Sequence, residues 1–413
     1  MGFLVSLAWK NLLRYRRRSV ITSIAIMAGL AIYIAANCMF AGIEQNSARN
    51  FIWYEAGAAQ IMDERFFEEI DYLPLKYGIR DPRAVQDALE LTGVRTTPRI
   101  RFAGELFHES GSQQVTMMAL DPATDAAVLR IRESVTEGRY LGGTQSDIMV
   151  GRLLAEDLQA SLGDTITLRT RTRDGAYQTA DFELSGIIDS PNPYLNAGVG
   201  FIGIAEADRV LQMDGAVTEI LVGTHDWRRP ERLSRILSNA IGGAFPGLVV
   251  KNWRDLGKDF INLVEGHMAI YNLLLFLIFI IAAVGISNTM LMAVYERYRE
   301  IGMMRALGMR EAALRGSLLL EAGGIGVIGS IGGVALGAGL SYVLVHWGID
   351  YSALIGRMRM GYRISGVFRG AWTPGTMAAA FVFGVVTSLL VCLVFLIFSR
   401  VMRASITDSL RHV

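Results

Sequence analysis

Four long apolar runs constrain the fold of this chain more than any other feature of its sequence. The runs are Val20–Ile43, Met268–Tyr295, Gly316–Gly348 and Gly370–Ser399. They carry no Asp, Glu, Lys or Arg apart from Glu321. A helix crosses a bilayer with about 20 apolar residues, and a mean hydropathy of +0.34 agrees with a membrane protein. We therefore predict four transmembrane helices, at 20–43, 266–295, 316–348 and 370–399.

The charges between these runs predict the topology. The region 44–265 carries 23 Lys+Arg and 33 Asp+Glu, a net charge of −10. The flanking segments 1–19, 296–315 and 400–413 are rich in arginine. By the positive-inside rule these three segments are cytoplasmic and 44–265 is a large extracytoplasmic domain inserted between helices 1 and 2. The loop 349–369 would then be external despite its four arginines, either as a solvated loop or as a surface for an anionic partner.

The patterns in 44–265 indicate an α+β domain. Asp81 and Pro82 are typical of a helix start, and Asp174-Gly175 predicts a hairpin turn between two strands. The stretches "VRTTPRIRFAGELF" and "SQQVTMMAL" alternate as hairpin strands do. A helix–glycine–strand pattern at both ends favours a membrane-proximal lobe, 44–95 plus 227–265, and a distal lobe, 96–226. From about Lys251 a continuous helix is predicted to run into the second span as a stalk.

The segment 296–315, "ERYREIGMMRALGMREAALR", is a short amphipathic helix between two predicted spans. Ile301, Met304, Leu307 and, less strictly, Ala306 form its apolar face, and Gly302 and Gly308 would allow close approach of another backbone. The charged residues around that face include Glu296, Arg297, Glu300 and Arg305. Such a helix can dock in a groove of a soluble partner and transmit the partner's motion to both adjoining spans.

The same segment carries a family resemblance. "GISNTMLMAVYERYREIGMMRALGMREAALRGSLLLEA" resembles the signature of the MacB/FtsX-like permeases of ABC transporters, including the lipoprotein-releasing LolC/LolE-like subunits. "AWKNLLRYRRRSVIT" and "VGRLLAEDLQASLGDTITL" are similar to that family's N-terminal helix and outer domain.

The resemblance implies a four-helix half-permease in the bacterial inner membrane. It would pair with a second permease chain, identical or not, and with a separate cytoplasmic ATPase, which binds ATP and Mg. The outer domain would then be driven mechanically. Some lipoprotein-releasing subunits hook a periplasmic chaperone with a loop that is longer than the short hairpin "RTRTRDGAYQTADF" of this chain, which implies that the chaperone hook is absent here.

Enzymatic chemistry is not expected. No G-x-x-x-x-G-K-[ST] phosphate loop is present, no His/Cys/Asp cluster suggests a catalytic or metal site, and both cysteines lie within predicted spans. The basic segment 1–19 is predicted to be an interfacial helix that lies on anionic membrane lipids, rather than a segment that binds nucleic acid. An acid inside a span is a functional candidate, but Glu321 lies near the cytoplasmic end, where a structural role is favoured.

Two further predictions concern the spans. The glycine-rich stretch 323–339 is expected to pack against another helix, in the dimer seam. Lipophilic cargo could contact seam residues of the first two spans, which are Ala31, Met39, Phe40, Ile270 and Leu274.

Three functions remain open: extraction of lipoproteins or another lipophilic cargo from the membrane, FtsX-like signalling to a cell-wall hydrolase, and MacB-like efflux of drugs or peptides. The outer domain is larger than expected for the signalling branch.

Overall fold

The computed structural model divides the chain into two units. It describes residues 14, 16–109, 111–142, 146–224, 227–258, 307–350 and 367–398, with isolated positions at 261–262, 266, 269–271, 273, 276–277, 280, 284, 292 and 303–304. The helical unit comprises 1–44, 265–349 and 367–413, and the sheet unit comprises 45–264 and 350–366.

Long apolar helices form the helical unit. Helix α1 (Arg16–Phe51) runs on into the sheet unit and continues as a π-helix (Ile52–Ala56) that ends at Gly57. Within the described residues, three helical stretches are long and apolar enough to cross a membrane: Ser19–Ala56, Glu311–His346 and Pro374–Val394. They correspond to the first, third and fourth predicted spans. The predicted span 266–295 lies largely outside the described residues, as do segments 1–19, 349–369 and 400–413 in most or all of their length.

Ten strands form one sheet in the sheet unit, in the order β10-β1-β9-β2-β3-β8-β5-β7-β4, with β6 paired to β2 and β7. Most pairs are antiparallel, and β3–β8 and β5–β7 are parallel. The strands are β1 (Ala59–Asp63), β2 (Arg95–His108), β3 (Gly111–Leu120), β4 (Val135–Gly138), β5 (Asp147–Gly151), β6 (Thr165–Arg171), β7 (Tyr177–Ile188), β8 (Val199–Gly203), β9 (Glu219–Gly223) and β10 (Leu248–Asn252).

Short helices cover this sheet. They are α2 (Glu64–Glu68), α3 (Pro82–Glu90), α4 (Arg152–Leu158), α5 (Pro193–Gly198), α6 (Ile204–Leu211), α7 (Pro230–Ile241) and α8 (Trp253–Leu256). The predicted start of α3 is confirmed, because the Asp81 carboxylate accepts from the backbone N–H of Ala84 at 3.1 Å and Pro82 follows it. The Asp174-Gly175 turn between β6 and β7 is also confirmed, with Gly175 at φ +85°.

The two helix–glycine–strand patterns lie side by side. Helix α3 packs on β2 and α7, and α7 packs on β10 and β1. Strand β9, assigned by sequence to the distal lobe, hydrogen-bonds to β1 of the proximal lobe and to β2. One sheet and one apolar core therefore run through both predicted lobes, and the division into lobes stays a prediction.

The predicted helix from Lys251 begins two residues later. Lys251 and Asn252 belong to β10, and Asn252 then caps α8 by accepting from the backbone of Arg254 and Asp255. Helix α8 ends after one turn at Gly257. Between 258 and 307 the chain is described only at isolated positions, so the continuous stalk stays a prediction.

The described part of the helical unit also contains two further long helices and a two-stranded ribbon. They are α9 (Glu311–His346) and α10 (Pro374–Phe398), and the ribbon strands are β11 (Ile349–Asp350) and β12 (Val367–Phe368). Glycines of α9 recur every four residues and so share one helix face. A Cβ on Gly329, Gly333 or Gly337 would lie 2.8–2.9 Å from the Cβ of Ile26, Leu30 or Ile34, respectively.

The glycine stripe is therefore a packing surface, as predicted, and its placement in a dimer seam stays a prediction. The residues that face Gly329, Gly333 and Gly337 belong to α1 of the same chain. Gly326 similarly meets Ser388 of α10, where an added Cβ would lie 2.8 Å from the serine Cβ. A periodic stripe of small residues predicts a close helix contact and carries no information on which helix fills it.

Candidate functional site

A tight helix end at Gly308 organises the described part of the predicted docking segment. The Leu307 N–H donates to the Met303 carbonyl, and the Met309 N–H donates to the Met304 carbonyl, both at 3.0 Å. Gly308 has φ +87°. A bond that spans five residues across a left-handed glycine is a Schellman motif, which terminates helices. Gly308 thus serves as a helix cap, and no atom of the described chain lies within 4 Å of a Cβ placed there.

The methionines and the leucine of this segment point in different directions. Met304 and Met309 pack against an apolar cluster of the helical unit that includes Leu314 and Leu318. Leu307 is 88% exposed and Met303 is 47% exposed. Sequence periodicity placed Met304 and Leu307 on one docking face, whereas here Met304 anchors the segment. Met303 and Leu307 are the apolar side chains left available to a partner.

Most other predicted residues of this segment lie outside the described residues. They are Glu296, Arg297, Glu300, Ile301, Gly302, Arg305 and Ala306. Beyond Gly308 the chain enters α9, whose first turns carry an ion pair between Arg315 and Glu311, with nitrogen and oxygen 2.5 Å apart.

Glu321 and the predicted seam residues occupy varied environments. Glu321 is 2% exposed and therefore buried within the helical unit, rather than reaching the surface. Ala31 is also buried, and Phe40 stacks on Tyr271 with ring centroids 3.8 Å apart. Met39 is half-buried, Ile270 is exposed, and Leu274 lies outside the described residues.

The base of the sheet unit joins the two chain segments that lead toward predicted spans 1 and 2. Ala48, Phe51, Ile52 and Ala56, at the end of α1 and in the π-helix, form a cluster with Trp253 of α8. The Trp253 Nε1–H donates to the Trp227 carbonyl at 3.0 Å. The end of α1 and the start of the segment that leads to the second predicted span therefore share one apolar cluster.

A buried ion pair ties the π-helix to the middle of the sheet. Arg99 of β2 is 1% exposed, and its Nε donates to the Glu219 Oε1 of β9 at 3.1 Å. Arg99 also donates through Nη1 to the backbone carbonyl of Glu55. The Glu55 carboxylate accepts from Asn192 Nδ2 at 2.9 Å. The π-helix that follows α1 is thus hydrogen-bonded to the sheet and to the loop before α5.

Charge compensation keeps Glu219 ionised despite its burial. Burial alone would raise its pKa, but the Arg101 and Arg99 guanidinium groups hold it below its usual value. Arg101 Nε lies 3.1 Å from the same Oε1 atom. Nearby, burial raises the pKa of Asp125 even though Tyr140 donates to its Oδ2 at 2.7 Å. A buried charge is tolerated only where partners of this kind compensate it.

Sequence analysis did not find this network. The available signal was the "RIR" at Arg99–Arg101, which places two cations on one face of an alternating strand, with Glu219 as a lone acid in the strand "EILVG". Register alone brings Arg99 opposite Glu219, and register cannot be read from either strand by itself.

Chemistry of the catalytic type has no support in the described residues. Among them, no three His, Cys, Asp or Glu side chains come together as a possible metal site.

A protein-family model matches the C-terminal part of the chain. The model "FtsX-like permease C-terminal" matches residues 272–406. This part of the chain is similar to an FtsX-like permease domain. The FtsX-like domain covers the docking segment from Met303 to Gly308 as well as α9 and α10.

Curated relatives agree with this assignment. The lipoprotein-releasing system transmembrane protein LolC of Xylella fastidiosa is 24% identical over 51% of this chain and 50% of its own length. An uncharacterized ABC transporter permease of Methanocaldococcus jannaschii is 22% identical over 89% of this chain and 93% of its own length. The chain spans about half the length of the LolC relative that it matches. It is similar to ABC transporter permeases, both inside and outside the FtsX-like domain.

A solved structure also matches part of the chain. The periplasmic region of MacB from Actinobacillus actinomycetemcomitans has a TM-score of 0.32 and 11% sequence identity, and the match covers 49% of this chain and 92% of that chain. This likeness carries no weight for function.

Proposed function

We propose that this chain is the permease subunit of an ABC transporter and that a separate cytoplasmic ATPase docks on Met303 and Leu307. The exposed Leu307 carries the proposal, because it projects from a helix end that Met304 and Met309 fix to the helical unit. An apolar side chain that is 88% exposed beside a rigid helix cap suits insertion into a groove of a soluble protein.

The proposed coupling path uses helices rather than catalytic groups. A push on the segment that ends at Gly308 acts on α9, which lies tightly against α1 through its glycine stripe. Helix α1 continues to the π-helix, where Glu55 is bonded to Arg99 and Asn192. The sheet unit, on the periplasmic side, would move in response. ATP and Mg would be bound by the ATPase, and this chain would act without enzymatic activity of its own.

The proposed cargo is a lipoprotein or another lipophilic molecule of the bacterial inner membrane. The likeness to LolC supports this choice, since that relative's name gives lipoprotein release as its system. A second permease chain would complete the membrane part. Only five residues, 172–176, separate β6 from β7, and this short hairpin supports a subunit without a chaperone-binding hook.

Affinity co-purification from native membranes tests both parts of the proposal. Mass spectrometry of proteins and lipids bound to the tagged chain should find a P-loop ATPase and acylated lipoproteins. Leu307→Glu should abolish recovery of the ATPase, whereas Leu91→Glu, at a 91% exposed leucine of the sheet unit, should leave it unchanged.

Other results of the co-purification distinguish the proposed ATPase docking from the proposed lipoprotein extraction. An ATPase recovered with a cell-wall hydrolase or a membrane-fusion protein, and without acylated cargo, would refute lipoprotein extraction in favour of signalling or efflux. Recovery of no ATPase with the wild-type chain would refute the docking proposal itself.

A further inference from the structure

Three of the six tryptophans of the chain gather at one end of the sheet unit. They are Trp53, Trp227 and Trp253, and all three belong to the apolar cluster formed by the end of α1 and by α8. The Trp227 and Trp253 rings meet edge to face, with their centroids 6.3 Å apart. Trp253 is buried, whereas Trp53 and Trp227 are half-buried and present part of their rings to the surroundings.

Two exposed arginines lie over the Trp53 ring. The guanidinium carbon of Arg130 is 3.8 Å from the ring centroid, and that of Arg49 is 5.1 Å from it. Arg49 donates to the neutral amide oxygen of Asn46. Arg130 lies 4.0 Å from Glu133, and solvent weakens this pair because both side chains are exposed. Two positive charges at one ring leave a potential that an anion can neutralise.

The other two tryptophans carry one exposed arginine each. The guanidinium carbon of Arg228 is 4.9 Å from the centroid of the Trp227 ring, and that of Arg254 is 5.4 Å from the centroid of the Trp253 ring. Arg254 also lies 3.4 Å from Glu231, and both of these side chains are exposed. All three rings therefore hold a cation at the surface of the sheet unit.

The charge around these rings is positive within an otherwise acidic region. Within the described part of the chain, the four arginines form ion pairs with two carboxylates, those of Glu133 and Glu231. The whole region 44–265 has a net charge of −10. We call the three tryptophans and their arginines the tryptophan–arginine patch. A surface with one sign of charge attracts ligands of the opposite sign, so the ligand of this patch is expected to be an anion.

The chain connections place this patch close to the bilayer. Ala48 of the cluster lies five residues after Ile43, the end of the first predicted span, and five residues of helix extend about 7–8 Å. Ile261, which packs on the cluster, lies five residues before the second predicted span at 266, and such a segment reaches at most about 18 Å. The head-group layer is about 5–8 Å thick on each side of a bilayer. The Arg49 side chain can extend toward that layer.

We propose that the tryptophan–arginine patch binds the phosphate groups of anionic phospholipids in the outer leaflet, with Arg49 and Arg228 as the main contacts. Tryptophan rings favour the head-group level of a membrane, and arginine can bind a phosphate with two parallel hydrogen bonds. The short connections to the predicted spans favour lipid head groups over an acidic protein. This inference rests on the membrane topology of the proposed permease and is independent of its ATPase and cargo.

Photo-crosslinking of lipid to the full chain in nanodiscs tests the proposal. The probe is a phosphatidylglycerol with a diazirine at the head-group end of one acyl chain, diluted in phosphatidylcholine, and mass spectrometry locates the crosslinked peptides. We expect label on the peptides that contain residues 45–53 and 227–229, and unlabelled phosphatidylglycerol should displace it. A phosphatidylcholine with the same diazirine should label these peptides at least about fivefold less, because it carries no net charge.

Substitutions locate the contact. Arg49→Gln and Arg228→Gln should each lower the label on their own peptide by about fivefold, the usual effect of one arginine beside an anionic membrane surface. Arg83→Gln is the matched control, at an exposed arginine of α3 outside the patch, and should be labelled as the wild type is. Label on the segment 1–19 in the same sample should stay unchanged and reports equal insertion into the nanodiscs.

Several results would overturn the proposal. They are absence of label on both peptides, equal labelling by the two lipid probes, and equal losses in Arg49→Gln and Arg83→Gln. Displacement of the label by millimolar inorganic phosphate would also overturn it, since the patch would then bind the free ion rather than a lipid.

A separate measurement distinguishes failure of this inference from failure of the proposed topology. Leu91 is 91% exposed in the sheet unit, and the native Cys38 and Cys392 are buried. A membrane-impermeant maleimide should therefore modify Leu91→Cys in intact spheroplasts. Modification without lipid label would refute the lipid-binding inference alone. Modification only after lysis would refute the topology, and this inference with it.

Discussion

Replacement of Arg99 by methionine should destabilise the sheet unit strongly at neutral pH. The substitution keeps most of the side-chain volume but leaves Glu219, which is 0% exposed, with Arg101 as its remaining cation at 3.1 Å. Removal of one partner from a buried ion pair costs about 3–5 kcal/mol. Because Arg101 stays in place, we expect the lower end, about 3 kcal/mol.

That loss should be visible as a large shift in melting temperature. For a unit of this size, 1 kcal/mol corresponds to roughly 2–4 °C, so Arg99→Met should lower the melting temperature of the sheet unit by roughly 6–12 °C. Urea titration of the full chain in detergent, followed by pulse proteolysis of the sheet unit, measures the free energy of unfolding directly. Arg83→Met, at an exposed arginine, should change it by about 0.5 kcal/mol or less.

The pH dependence distinguishes loss of charge compensation from loss of packing. In the wild type, Arg101 and Arg99 hold the pKa of Glu219 below its usual value. The ionised carboxylate therefore stabilises the fold fully above the pKa of the unfolded state, about 4.3. This contribution is lost as the pH falls through the pKa of Glu219 in the folded state. In Arg99→Met, burial is opposed by fewer cations, and the pKa of Glu219 rises. Glu219 then protonates more readily, and the difference in stability between variant and wild type should shrink between pH 7 and pH 4.

A second substitution checks the same reasoning. Glu219→Gln in the Arg99→Met background removes the uncompensated charge and should recover a large part of the lost stability. A destabilisation below about 1 kcal/mol at pH 7 would refute the reasoning, since such a value is typical of an ordinary surface change. A destabilisation that is the same at pH 7 and pH 4 would refute it as well.

Three further substitutions test other parts of the structure. Gly333→Val would place a Cβ 2.8 Å from a side-chain atom of α1, so the melting temperature of the chain in detergent should fall. Gly339→Val is the control, because no atom lies within 4 Å of a Cβ there, and it should leave the melting temperature unchanged. Equal effects of the two substitutions would contradict the contact between α9 and α1. Gly308→Val forces a β-branched residue to φ +87°, at a cost of about 1–2 kcal/mol, and should reduce ATPase co-purification relative to Gly339→Val. Tyr140→Phe removes the donor to buried Asp125 and should lower the free energy of unfolding by about 1–3 kcal/mol at pH 7. Because burial already raises the pKa of Asp125, this loss should be smaller at pH 5, and a larger loss at pH 5 would contradict the account.

Local patterns predicted the elements that depend on local chemistry. The cap at Asp81, the turn at Asp174-Gly175 and the β2–β3 hairpin follow from short-range rules of capping, turn geometry and alternation. Strands β1 and β5 were not predicted. Both are flanked by strands on each side and are buried almost throughout, and alternation between polar and apolar residues is lost in such strands.

Features that depend on long-range packing could not be predicted in the same way. A helical wheel groups Met304 with Leu307, but only the tertiary structure shows that Met304 packs against the apolar cluster of the helical unit and that Leu307 is exposed. The glycine stripe likewise predicted a close contact without its partner, which is α1 of the same chain. The Arg99–Glu219 pair joins residues 120 positions apart in sequence, and no local pattern specifies such a pairing.

Site-specific photo-crosslinking in native membranes tests the central claim most directly. A photoreactive amino acid at position 307 should capture a P-loop ATPase, because the Leu307 side chain is 88% exposed and proposed to enter a groove of that protein. The same group at position 304 should give crosslinks within the chain, because Met304 packs against the helical unit. Capture of the ATPase from position 304 but not from position 307, or from neither, would contradict the account.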